Sequence, residues 1–362
     1  MTKDIQQPDE QWINAIFAWA DEFDIADDEI PRDKYKLLAM TELDINRYDD
    51  EDNCHILKIT YLPDEIGQLT NLTSLDISWN EITKLPDSIG KLTNLTYLYA
   101  DCNQLKKLPD SIGNLTNLTE LYISDNQITQ LPESIEQLTN LIIISINGNQ
   151  LNKLPESIGK LTNLKELDIQ YNQRAKLPKS IGQLINLTYL NISYDKLTKL
   201  PEWIGQLTYL TELDIDGNQL TELPEWIGQL TNLKELRISN NQLTELPESI
   251  GQLTRLEELY IGSNQLTELP EWIRQLTNLK ELRISNNQLT KVLESIGQLT
   301  NLKKLDISYN QLTKLPESIC YLKKLEWIRL DDNPLTHLSE PVQAFLRTVR
   351  YVTGWQDNDE LT

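Results

Sequence analysis

Apolar positions recur along this chain in one fixed frame. From Leu62 the motif Leu-Pro-[Asp/Glu]-x-Ile-Gly-x-Leu restarts every 23 residues, at Leu85, Leu108, Leu131, Leu154, Leu177, Leu200, Leu223, Leu246, Leu269, Val292 and Leu315. Residues 62–337 are thus twelve units with no insertion or deletion. A period of this length marks stacked supersecondary units, each too small to bury its apolar face alone. The units starting at Leu223 and Leu269 differ only at Gly228/Arg274 and Glu245/Lys291.

Within the unit Leu223 to Glu245 the skeleton is Leu230, Leu233, Leu236, Ile238, Asn241 and Leu243. The stretch Glu235-Leu236-Arg237-Ile238-Ser239 alternates with period two, which predicts a short strand with Leu236 and Ile238 facing in. Asn241 follows where the chain turns out of the strand. A buried Asn at every turn carries both a donor and an acceptor for backbone groups of the neighbouring coil. Pro224 and the segment from Glu225 to Leu230 suit a short helical or 3-10 return, with Pro near its first turn where no N–H is needed.

These residues resemble the leucine-rich repeat signature. The 23-residue unit with its Leu-Pro-x-x-Ile-Gly-x-Leu return is similar to the intracellular class found in bacterial proteins and in Ras-pathway and Scribble-type scaffolds. The resemblance implies an α/β solenoid: a right-handed horseshoe with a parallel β-sheet on the concave face, short helical or 3-10 returns on the convex face, and helical caps. It is specific for fold and says little about function.

The expected organisation is a helical cap over 1–29, a degenerate first repeat with an acidic insertion over 30–61, twelve repeats over 62–337 and a helical cap over 338–362. Ile30 to Ile45 aligns without gaps to the start of a unit, and the excess length falls in the acidic stretch 47–56. Trp12, Ile13, Ile16, Phe17, Ala20 and Phe23 stand at helical spacing between Pro8 and Phe23, and Val342, Phe345, Leu346 and Val349 do so between Pro341 and Val352. Such caps keep the ends of a solenoid core from water.

Composition narrows the partners. The 362 residues hold 33 Lys plus Arg against 55 Asp plus Glu, a formal charge of −22. An acidic field disfavours nucleic acid and anionic membranes and points to a protein or peptide partner of basic or polar surface. No apolar run has the length of a membrane span and no secretory signal is readable, so the expected compartment is the cytoplasm, with a secreted effector lacking a cleavable signal as the alternative.

Candidate chemistry is sparse. Gly90-Lys91 and Gly159-Lys160 are each followed by Leu rather than by the Ser or Thr of a phosphate-binding loop. Cys54, Cys102 and Cys320 have no paired spacing, and the two His, His55 and His337, stand at opposite ends. No catalytic residue, metal site or cofactor is expected; Cys54-His55 is the one adjacent soft-ligand pair. The sequons at Asn71, Asn94, Asn117 and Asn186 share one phase of the repeat and read as repeat grammar.

Because the framework barely changes between coils, partner information should sit at the outward strand positions. Twelve strands at ~4.8 Å would make a concave ladder of about 55–60 Å. The candidate partner-binding residues are Trp79, Tyr97, Tyr99, Tyr122, Tyr171, Tyr189 and Tyr194 in the first half, and Arg237, Tyr260, Arg283 and Arg329 in the second. Exposed aromatics are enriched at interface hot spots. The mixed-sign second half reads equally as ion pairing on a solvated sheet. Trp203, Trp226 and Trp272 share one return position and either stack over neighbouring coils or form a self-association stripe. Arg174 and Asp195 break the framework, standing where Leu and Asn belong.

The reading that follows is a non-catalytic scaffold binding a protein or peptide through the concave face. The alternatives are a bacterial effector engaging a host protein, and the recognition half of a larger enzyme.

Overall fold

The computed structural model describes residues 10–48, 57–172, 176–336 and 338–355. Arg174, Cys54, His55, His337 and most of the acidic stretch 47–56 lie outside the described residues. The chain divides into two compact units, Met1–Asn186 and Leu187–Thr362.

The first unit opens with helix α1 (Gln11–Glu22), which buries Ile13, Ile16, Trp19 and Ala20. Trp19 is an addition to the expected apolar face: its indole N–H donates to the Tyr61 carbonyl at 3.0 Å. A short helix α2 (Lys34–Leu38) follows, capped by Asp33, whose carboxylate accepts from the Lys36 N–H at 2.9 Å. Strands β1 (Glu42–Asp44), β2 (Ser74–Asp76), β3 (Tyr97–Tyr99), β4 (Glu120–Tyr122), β5 (Ile143–Ser145) and β6 (Glu166–Asp168) then pair in parallel, each with its sequence neighbour. Arg47, 5% exposed, is held by Glu29 through bonds of 2.6 and 3.0 Å.

The second unit repeats the scheme with β7 (Tyr189–Asn191), β8 (Glu212–Asp214), β9 (Glu235–Arg237), β10 (Glu258–Tyr260), β11 (Glu281–Arg283), β12 (Lys304–Asp306) and β13 (Trp327–Arg329). It closes differently from the helix expected over Pro341 to Val352. Helix α3 covers only Glu340–Leu346, and Tyr351–Thr353 forms β14, parallel to β13. The β-branched and aromatic run Tyr-Val-Thr pairs with the otherwise open edge of β13, which outweighs continuing the helix. Val352 is therefore a strand residue.

Each unit of sequence makes one coil. Leu98 in β3 is fully buried and Tyr97 and Tyr99 flank it outward, as the alternation predicts. The return is a five-residue 3-10 turn such as Asp87–Lys91, entered through extended Pro86, which buries Ile89 and Gly90. The buried Asn column does what its chemistry allows: Asn103 donates to the carbonyls of Ala100 at 3.3 Å and of Ile77 in the preceding coil at 2.9 Å, while its Oδ1 accepts from the Ile82 N–H at 2.9 Å. A second, exposed Asn column, which contains the sequons, donates to the coil before, as Asn94 does to the Thr70 carbonyl at 2.9 Å.

Candidate functional site

Strands three residues long leave two outward positions per coil, and in-register pairing turns these into columns. In the first unit one column runs Ser74, Tyr97, Glu120, Ile143, Glu166 and the other Asp76, Tyr99, Tyr122, Ser145, Asp168. The structure brings Tyr97, Tyr99 and Tyr122 together. Tyr97 and Tyr99 are stacked with ring centroids 6.5 Å apart, and Tyr99 and Tyr122 with centroids 5.1 Å apart. Burial, reinforced by the Glu120 carboxylate, raises the Tyr99 hydroxyl and pushes Tyr122 up to about 12. These hydroxyls stay protonated, so the ladder offers π-faces and donors, not nucleophiles.

Trp79, Tyr171 and Tyr194 do not belong to that ladder. They occupy the residue before the buried Asn (before Asp195 in the coil of Tyr194), where the backbone is left-handed, with φ of 60°, 56° and 57°. Their side chains remain 42%, 50% and 38% exposed. Trp79 packs edge-on against Tyr48 with centroids 4.8 Å apart. Nine other coils share this conformation, at Cys102, Asp125, Gly148, Gly217, Asn240, Ser263, Asn286, Tyr309 and Asp332. The sequence does carry a signal for it: Gly, Asn and Asp, the residues that tolerate this region, fill half of that column. Bulky aromatics there are uncommon and hold the backbone against its own preference.

In the second unit several outward charges are paired from within. Tyr189 accepts from the Asn191 amide at 3.2 Å. Glu212, Glu235, Glu258 and Glu281 stand side by side in adjacent strands. The relief for this like-charge column comes along the strands: Arg237 pairs with Glu235, Arg283 Nη2 with Glu281 at 2.5 Å, and Lys304 reaches Glu281 across strands at 2.9 Å. Burial alone would raise Glu281, but the hydrogen bonds from Lys304 and Arg283 hold it below the ordinary carboxylate range. The guanidinium groups of Arg237 and Arg283 lie over the Tyr260 ring, 4.7 and 5.2 Å from its centroid. Arg329 pairs with Asp331 at 3.4 Å.

Two positions past the strand, Asp101 and Asp216 replace the usual Ser and accept from the backbone N–H of Ser124 and Ser239, one coil on. Burial pushes Asp101 up to about 6, and burial together with Asp214 pushes Asp216 up to about 7.

On the return side Trp203 and Trp272 are 6% and 7% exposed. These two are therefore buried within the array, whereas Trp226 at the same return position is half-buried. Most coils carry Ser at this position, pressed against the preceding Gly: a β-carbon on Gly228 would fall 2.6 Å from the Ser249 carbonyl oxygen. Where Trp takes its place the returns stand further apart, and the same atom on Gly205 would lie 3.3 Å from the Trp226 ring. Among the described residues no three His, Cys, Asp or Glu side chains gather as a metal site. The Cys102 thiol is pushed up to about 11 by burial and by Asp125 and Asp101, the opposite of an activated cysteine.

This arrangement of coils, Asn columns and 3-10 returns decides the family, and sequence comparison agrees. The description "Leucine-rich repeat region" matches residues 52–124, 144–218 and 178–289, "Leucine rich repeat" matches 277–335, and "Leucine Rich repeats (2 copies)" matches 116–156. The chain belongs to the leucine-rich repeat family. A leucine-rich repeat protein of Leptospira interrogans is similar at 34% identity and a TM-score of 0.74, over 96% of this chain and 100% of its own. YopM of Yersinia enterocolitica matches at 28% identity and a TM-score of 0.68, over 91% of this chain and 66% of its own. A plant peptide hormone receptor, RGFR1 in complex with RGF2, matches at 25% identity and a TM-score of 0.61, over 84% of this chain and 57% of its own. No curated protein matches. Among the described residues no helix is long and apolar enough to cross a membrane.

Proposed function

We propose that this leucine-rich repeat protein is a binding module, not an enzyme, and that it holds a protein or peptide against the outward face of its sheet. The observation that carries this reading is the stacked ladder Tyr97, Tyr99, Tyr122, an aromatic surface that no repeat framework requires. Aromatic rings bury large area at small entropy cost, which is why they anchor interfaces. The similar plant peptide hormone receptor, RGFR1 in complex with RGF2, supports a partner of this kind. The acidic balance of the chain favours a basic or polar one.

The ladder of the first unit is the anchor in this reading, with Trp79, Tyr171 and Tyr194 adding a second aromatic line at the strand exits. Arg237, Tyr260 and Arg283 already satisfy one another and contribute less. The test is affinity capture from native lysate with the full chain beside Tyr97→Ala/Tyr99→Ala and Arg237→Glu/Arg283→Glu. The first variant loses the captured partner and the second retains it or loses it only in part. Retention of every partner by both variants would contradict binding through the sheet face.

A further inference from the structure

The two units carry the same three-strand pattern on the sheet face, complete in one and lacking its cation in the other. In the second unit the register runs Tyr260, Arg283, Asp306. The Arg283 guanidinium lies 5.2 Å from the Tyr260 ring centroid and pairs with Glu281. In the first unit the corresponding register runs Tyr122, Ser145, Asp168. Where the second unit supplies a guanidinium, the first supplies only a hydroxymethyl group, turned toward the Ser124 hydroxyl at 2.8 Å.

The surroundings of that position call for positive charge. The outward strand positions of β1 to β6, with the residue two past each strand, hold Glu42, Asp44, Asp76, Asp101, Glu120, Glu166 and Asp168 and no Lys or Arg. Among the described residues none of Asp76, Glu120, Glu166 or Asp168 is ion-paired, whereas the second unit pairs Glu235 and Glu281 internally. Among the described residues Asp168 accepts from neutral amides, the side chains of Asn147 at 3.1 Å and Gln170 at 3.3 Å and the Gln170 backbone N–H at 3.2 Å.

We propose that the first unit receives an arginine side chain of a protein partner over Ser145, its guanidinium stacked on Tyr122 and facing Asp168, as Arg283 stacks on Tyr260 beside Asp306. This rests on the binding reading above and names the chemistry of the partner: an exposed segment bearing arginine. Arginine is favoured over lysine because a planar, weakly hydrated guanidinium stacks on a ring face and still donates sideways to carboxylates.

The probe is a fluorescein-labelled Gly-Ser peptide carrying two arginines, with lysine and citrulline versions of the same length, titrated against the full chain by fluorescence anisotropy. The arginine peptide binds at least about threefold more tightly than the lysine peptide, and the uncharged citrulline peptide about tenfold more weakly than the arginine one. Tyr122→Leu weakens the arginine peptide about tenfold, while Tyr122→Phe, which keeps the ring, stays within about twofold. Ser145→Arg, which supplies the guanidinium from within, also weakens it about tenfold. Circular dichroism confirms folding, and Tyr122→Leu decides the matter if Ser145→Arg does not fold. Equal binding of arginine and lysine peptides that survives Tyr122→Leu would overturn the seat, and so would no binding at about 1 mM. Selection of a random peptide library on the full chain separates this from the broader reading. Binders that lack arginine but are lost in Tyr97→Ala/Tyr99→Ala would overturn the arginine seat and leave the sheet face as the binding surface. Binders indifferent to every sheet-face variant would overturn both.

Discussion

The ring of Tyr194 lies against the α-carbon of Gly217, so that a β-carbon on Gly217 would fall 2.3 Å from both Cδ1 and Cε1 of that ring. Gly217 is needed twice over, since its own φ is +61°. Gly217→Ala should cost about 2–4 kcal/mol, part from the left-handed backbone and part from the overlap. Tyr194→Ala relieves only the overlap, so a double-mutant cycle in urea should return a coupling of about 1 kcal/mol or more. Strict additivity would mean that the ring is not seated there.

Two glycines at the same repeat position should respond differently to the same change. A β-carbon added at Gly228 meets the Ser249 carbonyl oxygen at 2.6 Å, whereas one added at Gly205 meets the Trp226 ring only at 3.3 Å. Gly228→Ala should be the more destabilising by about 1–2 kcal/mol. Thermal unfolding of the two variants beside the parent chain gives the comparison, and equal losses would show that the tryptophans do not space the returns.

The buried Asn column predicts a large effect from a small truncation. Asn264 donates to the Ile238 carbonyl at 3.0 Å and accepts from the Leu243 N–H at 3.0 Å, both in the preceding coil. Asn264→Ala leaves the Leu243 N–H buried without a partner and the Ile238 carbonyl with the Asn241 amide at 3.2 Å alone, and should cost about 1–3 kcal/mol. Hydrogen exchange should show the Leu243 amide opening first.

Asp216 gives a pH dependence of defined sign. Its folded-state value lies near 7, raised first by burial and then by Asp214, so the folded chain binds this proton more tightly than the unfolded chain. Its contribution to stability is therefore greatest at low pH and falls as the pH rises from about 4 to about 7. Asp216→Asn keeps an acceptor for the Ser239 N–H and removes that dependence. The variant should gain on the parent chain by on the order of 1 kcal/mol between pH 5 and pH 8. A difference that does not change across this window would contradict the assignment.

The Leu, Ile and Asn frame is legible in the sequence because those residues are buried in most of the described coils, so selection for packing writes the same letters repeatedly. The stacked tyrosines are legible too, because strand alternation and constant register put Tyr99 beside Tyr122 without any further information. Backbone conformation is harder to read. Where Gly148 or Gly217 occupies the residue before the buried Asn, left-handed geometry is evident, but Trp79 and Tyr171 in the same column read as ordinary strand residues. The strand β14 is hidden for a related reason: Val342, Phe345, Leu346 and Val349 set a helical spacing in the segment up to Val352, and only the open edge of β13 selects pairing instead. Whether a charge is free or already paired also depends on contacts beyond spacing, as Arg283 and Glu281 show.

Site-specific photo-crosslinking tests binding through the sheet face most directly. A benzophenone side chain placed at Tyr97, exposed on the sheet face, and at Tyr321, exposed on a return, reports which side meets a partner in the native cell. Binding through the sheet predicts a discrete adduct from position 97 and none from position 321. An adduct from position 321 with none from position 97 would contradict it.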